Sequence, residues 1–402
     1  MLFEALTLQL GYNATLVTIG ATLLGITAGA SGTFLFLRKR ALLSDAISHA
    51  TLPGIGLAFL AMTALGLDGR SLAGLLAGSA LSAGAGLLAV HWMTTRTRLP
   101  EDAAIGAVLS VFFGAGVVLL TVIQTLDTGR QAGLEGFLLG ATAGMLRAEA
   151  WLIAAGGAAA LALTVILRRP MTLVAFDPGY AQARGVNLRA VDLATMGLAL
   201  AVTLIGLKVV GLILIVALLI IPPAAARFWT DRSGVMAALA GAMGGAAGYV
   251  GAAVSASAPA LPTGPIVVLA AAALFVMSLL AAPRRGLLAG ALRHLAHRRE
   301  VHLRQGLLAL AQGLPVYEAY TLRLLVRAGL ARPDGVATNA GRAAAARALR
   351  DEARWALARA GQGVGQGHEA AASLYDGLRP IETVLTPDEI AALDARLAPR
   401  GV

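Results

Sequence analysis

Nine apolar stretches, each nearly free of fixed charge, follow one another between residues 14 and 282. About twenty such residues are what a helix needs to cross a hydrocarbon core of roughly 30 Å. Their ranges are 14–37, 45–66, 71–92, 104–125, 149–167, 190–207, 209–226, 235–256 and 263–282. A soluble domain could not bury them: 57% of the 402 residues are hydrophobic and only 13% are charged. The expected fold is an all-α polytopic membrane protein of about nine spanning helices. A transmembrane domain is placed at 1–285 and a small cytoplasmic α(+β) domain at 295–402.

Charge placement orients the bundle. Threading the spans alternately collects Arg38, Lys39, Arg40, Arg96, Arg98, Arg168, Arg169, Arg184, Arg189, Arg227 and Arg232 on one side, against Arg70, Arg130, Arg147 and Lys208 on the other. The Arg-rich side is the cytoplasmic one, so the N-terminus is expected outside and everything after Pro283 inside. The start of the chain carries Glu4 and no basic residue up to Thr18, and no signal cleavage is expected. The net charge of +10 belongs to loops and tail, which makes nucleic acid an unlikely partner.

Gly and Ala crowd several spans, as in AGLLAGSALSAGAGLLAV and AALAGAMGGAAGYVGAAV. Small residues let helix backbones approach where lipid supplies no hydrophobic drive, so these stretches read as packing surfaces. After Pro283 the pattern changes to LRHLAHRREVHLRQ and then to a helix, a Pro-Asp-Gly turn, a brief strand at Val336 to Thr338 and a longer helix, an order that suits a winged helix.

Chemistry concentrates in three places. In SDAISHATLPG, Asp45 and His49 are four residues apart and so about 40° apart on one helix face. A carboxylate and an imidazole within a span are costly in lipid unless they face a watery path, and manganese, iron and zinc all accept that pair of ligands. On residue chemistry alone, Asp45 as an N-cap with His49 as a packed polar residue fits equally well. Pro53 withholds an N–H from the carbonyl of His49 and is expected to break the helix just past the pair. Cysteine is absent, which excludes thiolate ligands.

The second place is FDPGYAQARG: Asp177 suits an N-cap, Pro178 a first turn and Gly185 a stop, giving a short surface helix that serves either as a docking element or as a connector. The third is GLILIVALLIIPPAAARFW, where Pro222 and Pro223 release the carbonyls of Leu218 and Leu219 for a kink used in gating or in packing. The sequence holds no GxxxxGK[ST] loop, its lysines being Lys39 and Lys208, so energy from ATP would need another subunit and no enzymatic role is expected.

Read in order, LLSDAISHATLPGIGLAFL, LPEDAAIGAVLSVFFGAGVVLL, AFDPGYAQARGV, GLILIVALLIIPPAAA and LPTGPIVVL resemble the ABC permease family that imports manganese, zinc and chelated iron. The resemblance implies that Asp45 and His49 coordinate the transported ion, with no permanently bound cofactor. It also implies that Phe176, Asp177, Pro178, Gly179, Tyr180, Arg184 and Gly185 form the helix coupled to a cytoplasmic ABC ATPase. Further implied partners are a second permease chain, identical or not, an extracytoplasmic metal-binding protein and membrane lipids of the bacterial inner membrane. Pro53, Pro222 and Pro223 are the expected kink positions.

The tail is similar to metal-dependent repressors of the diphtheria-toxin-repressor type. It keeps His368 but has Glu352 where that pattern has His, and Tyr375-Asp376 where it has Glu-His. Arg323, Arg327 and Arg332 read as a solvated or subunit-facing surface in preference to a DNA contact. Two other readings remain at this point: a secondary transporter working alone, for which no internal repeat is visible, and a membrane-tethered metal sensor.

Overall fold

The computed structural model describes residues 2–9, 11–69, 71–125, 147–258, 261–360, 377–378 and 380–397. Arg70, Arg130, His368, Tyr375 and Asp376 fall outside these, as does the side chain of Lys208. The described chain divides into two compact units, Met1–Ala289 and Gly290–Val402.

The first unit is helical throughout its described residues. After the short α1 (Leu2–Leu6) come α2 (Tyr12–Leu37), α3 (Ala41–Ala64), α4 (Leu72–Arg96) and α5 (Glu101–Gln124). Then follow α6 (Arg147–Phe176), α7 (Pro178–Ala183), α8 (Leu188–Val210), α9 (Leu212–Arg227), α10 (Ser233–Ala256) and α11 (Thr263–Ala281). Eight of these are long and apolar enough to span a bilayer. The ninth expected span, α9, has 16 residues, about 24 Å of helix, and joins α8 through the single residue Gly211 at φ 79°. It is short of a full hydrocarbon core, so eight full spans and one short apolar helix replace nine equal ones.

Helix α6 also departs from expectation. The apolar run predicts a span over 149–167, yet the helix runs unbroken through Arg168, Arg169 and Pro170 to Phe176. Arginines end an apolar run without ending a helix, because their long stems reach the headgroup zone from the helix surface.

Two packed groups make up the bundle. Residues of α2, α6, α8, α9, α10 and α11 share one core, including Leu24, Phe34, Met171, Leu198, Leu218 and Val267. Helices α3, α4 and α5 share two others, with Leu43, Ile47, Val90, Ile105, Phe59 and Ile123, to which α8 contributes Met196, Ala199 and Leu207 and α2 contributes Leu35. Helix α8 therefore lies between the groups.

The Gly/Ala stretches do pack helices together. A Cβ built on Gly25 of α2 would lie 2.1 Å from the carbonyl oxygen of Gly244 on α10, one on Gly29 2.2 Å from that of Ala240, and one on Gly248 2.3 Å from that of Ala21. The spacing of four on both helices puts backbone on backbone for three successive turns. Close Cα–H···O contact and dispersion then hold helices that no hydrophobic effect would join in lipid.

The second unit begins within α12 (Leu287–Ala311) and continues with α13 (Ala319–Arg327), α14 (Asn339–Arg359), a 3₁₀ turn at Ile381–Thr383 and α15 (Pro387–Leu397). Leu310, Val316, Leu325, Ala331 and Ala345 form one small core, and Trp355, Ala358, Ile381, Leu385 and Leu393 another. The expected strand at Val336 to Thr338 is reduced to a single antiparallel bridge between Ala331 and Ala337, and no strand occurs among the described residues. Across the Pro-Asp-Gly turn, Arg332 N–H bonds the Val336 carbonyl at 2.8 Å. Glu352 forms an ion pair with Arg304 at 3.0 Å.

Glu318 caps α13, accepting from Thr321 N–H at 2.5 Å and Tyr320 N–H at 3.2 Å. Hydrogen bonding from Thr321, side chain first, lowers its pKa from an ordinary 4.5 to about 2. A carboxylate lowered in the folded state adds stability above its unfolded pKa and loses it as pH falls through the folded one. Protection of the α13 amides from hydrogen exchange should thus be greater in wild type than in Glu318→Gln above pH 4.5, and the difference should close as pH drops toward about 2. A difference independent of pH would refute the cap.

Candidate metal site

Helix α3 starts at Ala41 with Arg40 as its cap residue, so Asp45 lies in the helix interior and does not cap it. The capping alternative is overturned, because Arg40 already turns the chain into the helix one full turn earlier. Asp45 Oδ1 and His49 Nε2 stand 3.4 Å apart, with the side chains 37% and 23% exposed. The edge of the His49 ring meets Phe113 of α5, centroids 5.0 Å apart and planes at 83°. The other ring nitrogen, Nδ1, is buried without a hydrogen-bond partner, and so is the hydroxyl of Ser48 beside it.

The pair is therefore open. An aspartate that satisfied the imidazole fully would hold it at a shorter distance, and a packed structural histidine would find a partner for Nδ1. One carboxylate and one imidazole from a single helix face offer two ligands. Among the described residues no group of three or more His, Cys, Asp or Glu side chains is placed to hold a metal ion.

Pro53 does not break α3, which stays helical from Ala41 to Ala64. Neighbouring helices pack closely on it at this point: a Cβ on Gly54 would lie 2.1 Å from the Gly78 carbonyl oxygen of α4, and one on Gly116 of α5 2.5 Å from the Cβ of Leu52. The carbonyl of His49 still lacks the N–H that a non-proline residue would bring. Pro222 and Pro223 are likewise inside an unbroken α9, and the Leu219 carbonyl released by Pro223 points at α2, where a Cβ on Gly32 would come within 2.1 Å of it.

The segment 176–185 folds as its residues suggest. Asp177 Oδ1 accepts from Tyr180 N–H at 2.8 Å, and Pro178 opens α7. Gly185 at φ 78° closes it, with its N–H on the Gln182 carbonyl and that of Val186 on the Ala181 carbonyl. Ala181 is buried, while Phe176 and Tyr180 project as exposed aromatic side chains.

Sequence reasoning missed a cluster on the Arg-rich side. Arg38 Nη2 donates to both carboxylate oxygens of Asp192 on α8, at 2.7 and 2.9 Å, and its Nη1 donates to the Val174 carbonyl of α6 at 3.0 Å. Arg40 Nε lies 2.5 Å from Glu101 on α5 and its Nη1 3.3 Å from Asp192. Arg38 and Arg40 had been counted only as topology signals. The available clue was Asp192, a lone acid in the first turns of a span on the basic side.

A bundle of eight full spans, one short apolar helix, an open Asp–His pair in a span and a capped surface helix between two spans is the frame of a membrane transport subunit. Residues 12–282 match the ABC 3 transport family, and the chain belongs to that family. The manganese transport system membrane protein MntC of Bacillus subtilis (strain 168) is 39% identical over 320 residues, a longer stretch than the family match, covering 79% of this chain and 71% of the relative. The zinc transport system membrane protein TroC of Treponema pallidum is 37% identical over 295 residues, 73% of this chain and 96% of the relative. Among solved structures, PsaBC from Streptococcus pneumoniae in complex with Fab superposes with a TM-score of 0.61 at 29% identity, over 71% of this chain and 98% of that one. An inward-facing putative metal-chelate type ABC transporter, 17% identical with a TM-score of 0.53, shares the fold.

Proposed function

We propose that this chain is the membrane-spanning permease subunit of an ATP-binding-cassette importer that carries a divalent transition metal, manganese, zinc or iron, into the cytoplasm. The observation that carries the reading is the open Asp45–His49 pair on a spanning helix, with Nδ1 of His49 unsatisfied. Relatives named for manganese and zinc transport support it and favour those two ions. Asp45 and His49 take the passing ion in part, and water or a second permease chain completes the shell. Incomplete coordination suits a transport site, which must release what it binds.

A cytoplasmic ATPase docks on the segment from Phe176 to Gly185, where Phe176 and Tyr180 supply exposed aromatic surface and Arg184 a charge. The N-terminus lies outside and the second unit inside, in the inner membrane. An extracytoplasmic metal-binding protein delivers the ion, and Pro53, Pro222 and Pro223 mark where α3 and α9 bend as the pathway opens. In the second unit, Arg323, Arg327 and Arg332 form a surface that faces solvent or another subunit of the complex in preference to DNA.

Cells given this chain with its ATPase and delivery protein should accumulate radioactive manganese or zinc, and leaving out the ATPase should return uptake to background. Uptake that persists without the ATPase would sink the importer reading in favour of a transporter working alone.

A further inference from the structure

We propose that Arg38, Arg40, Asp192 and Glu101 form a clamp that carries movement of the ATPase-facing segment to the helix bearing the metal pair. These are positioning residues, and the inference rests on the importer reading above.

Both ends of the ATPase-facing segment are tied to the same corner of the chain. Val174, whose carbonyl accepts from Arg38, is two residues before Phe176. Asp192, which takes the bidentate bond from Arg38, lies five residues after Asn187, the residue that caps α8 by accepting from Ala190 N–H. The corner itself is Arg38-Lys39-Arg40, where α2 ends and α3 begins. Lys39 sits at φ 60°, a left-handed conformation that side-chain-bearing residues adopt only where their surroundings hold them.

Both elements that hold His49 start at this clamp. Helix α3 begins at Arg40 and reaches Asp45 five residues later, about 7.5 Å along the axis. Helix α5, which presents Phe113 to the His49 ring, begins at Glu101, the partner of Arg40. A displacement of the segment 176–187 thus reaches both walls of the site through four side chains.

Exposed ion pairs transmit little, but these are sheltered: the side chains of Arg38, Asp192 and Arg40 are 19%, 17% and 18% exposed. The Arg38 guanidinium is held at two points, Nη2 on both Asp192 oxygens and Nη1 on the Val174 carbonyl, which fixes its orientation as well as its distance. One atom of the cluster, Arg38 Nε, is buried without a hydrogen-bond partner. It leaves the cluster a second way to pair, as an element with two arrangements requires.

The chain has no cysteine, so spin labels at Leu42→Cys on α3 and Gln182→Cys on α7 report without background. In the full complex in lipid vesicles, pulsed electron resonance should give one narrow label-to-label distance, with and without trapped nucleotide, in the otherwise unaltered chain. Asp192→Asn should broaden it, and ATP hydrolysed per manganese ion taken up should rise at least about tenfold, the scale of one lost charge-assisted pair. Asp192→Glu should restore both. Arg40→Lys, which keeps the charge but not the fork, gives an independent reading should Asp192→Asn assemble poorly. Unchanged distances in both variants would overturn the clamp, as would a broad distribution in the unaltered chain. Failure of the importer reading shows separately, as ATP hydrolysis without manganese or zinc accumulation while the distances still report on the clamp.

Discussion

Asp45→Ala and His49→Ala are each expected to lower metal uptake by at least about a hundredfold while the protein still accumulates, folded, in the membrane. Losing a group that merely supports a metal ligand costs roughly 10- to 100-fold, and in the proposed site these two are the ligands themselves. The fold should survive because neither residue caps α3, the carboxylate is 37% exposed, and the contact between them at 3.4 Å is loose. Asp45→Asn separates charge from shape: it keeps volume and hydrogen-bonding capacity, and should fail nearly as badly if the carboxylate binds a cation. The readouts are isotope uptake and, on the same membranes, protein level and monodispersity in detergent. Uptake near the wild-type level in either alanine variant would show the pair to be structural and remove the site from this helix.

Gly25→Leu should have the opposite signature, with loss of folded protein as the primary event. Its Cβ would fall 2.1 Å from a backbone oxygen, that of Gly244, and a backbone atom cannot swing aside as a side chain can. Separating α2 from α10 to make room would also undo the contacts at Gly29 and Gly248, a turn above and a turn below. The cost should therefore exceed the about 1–3 kcal/mol typical of an overfilled core, a large share of the roughly 5–15 kcal/mol that holds an ordinary protein folded. Gly84→Leu on α4 is the matched control, since nothing lies within 4 Å of a Cβ there. Size-exclusion profiles of the solubilised proteins decide the matter: a wild-type profile for Gly25→Leu would mean that the two helices do not meet as described.

The spans were readable because lipid demands length and low charge, and both are properties of a sequence window. What such a window cannot show is where a helix continues past its apolar part, which is why the end of α6 was set at 167 and not at Phe176. The capped helix after Asp177 was readable residue by residue, since capping is local chemistry. The pairing of Arg38 with Asp192 was not, because it joins positions 154 residues apart and an arginine beside a membrane has a simpler explanation in topology. The continuity of α3 through Pro53 was also hidden. A proline predicts a missing hydrogen bond, but whether the helix then bends depends on neighbours such as Gly78 and Leu119 that only the packed bundle brings up.

The two packed groups differ in how they can deform. Where α2 lies on α10 the surfaces are toothed by backbone, and sliding one past the other would have to lift a carbonyl over a Cα at every turn. Helices α2 and α3, although consecutive, lack such a seam, and the groups they belong to meet largely through α8, whose contribution to the second core is Met196, Ala199 and Leu207. Of these, Met196 and Leu207 can change rotamer and let a surface slip. The bundle thus has a stiff grain and a compliant one, and the compliant one runs beside the helix that carries Asp45 and His49. A machine that must expose one ion first to one face of a membrane and then to the other needs a direction of easy shear, and here the placement of glycines has decided which direction that is.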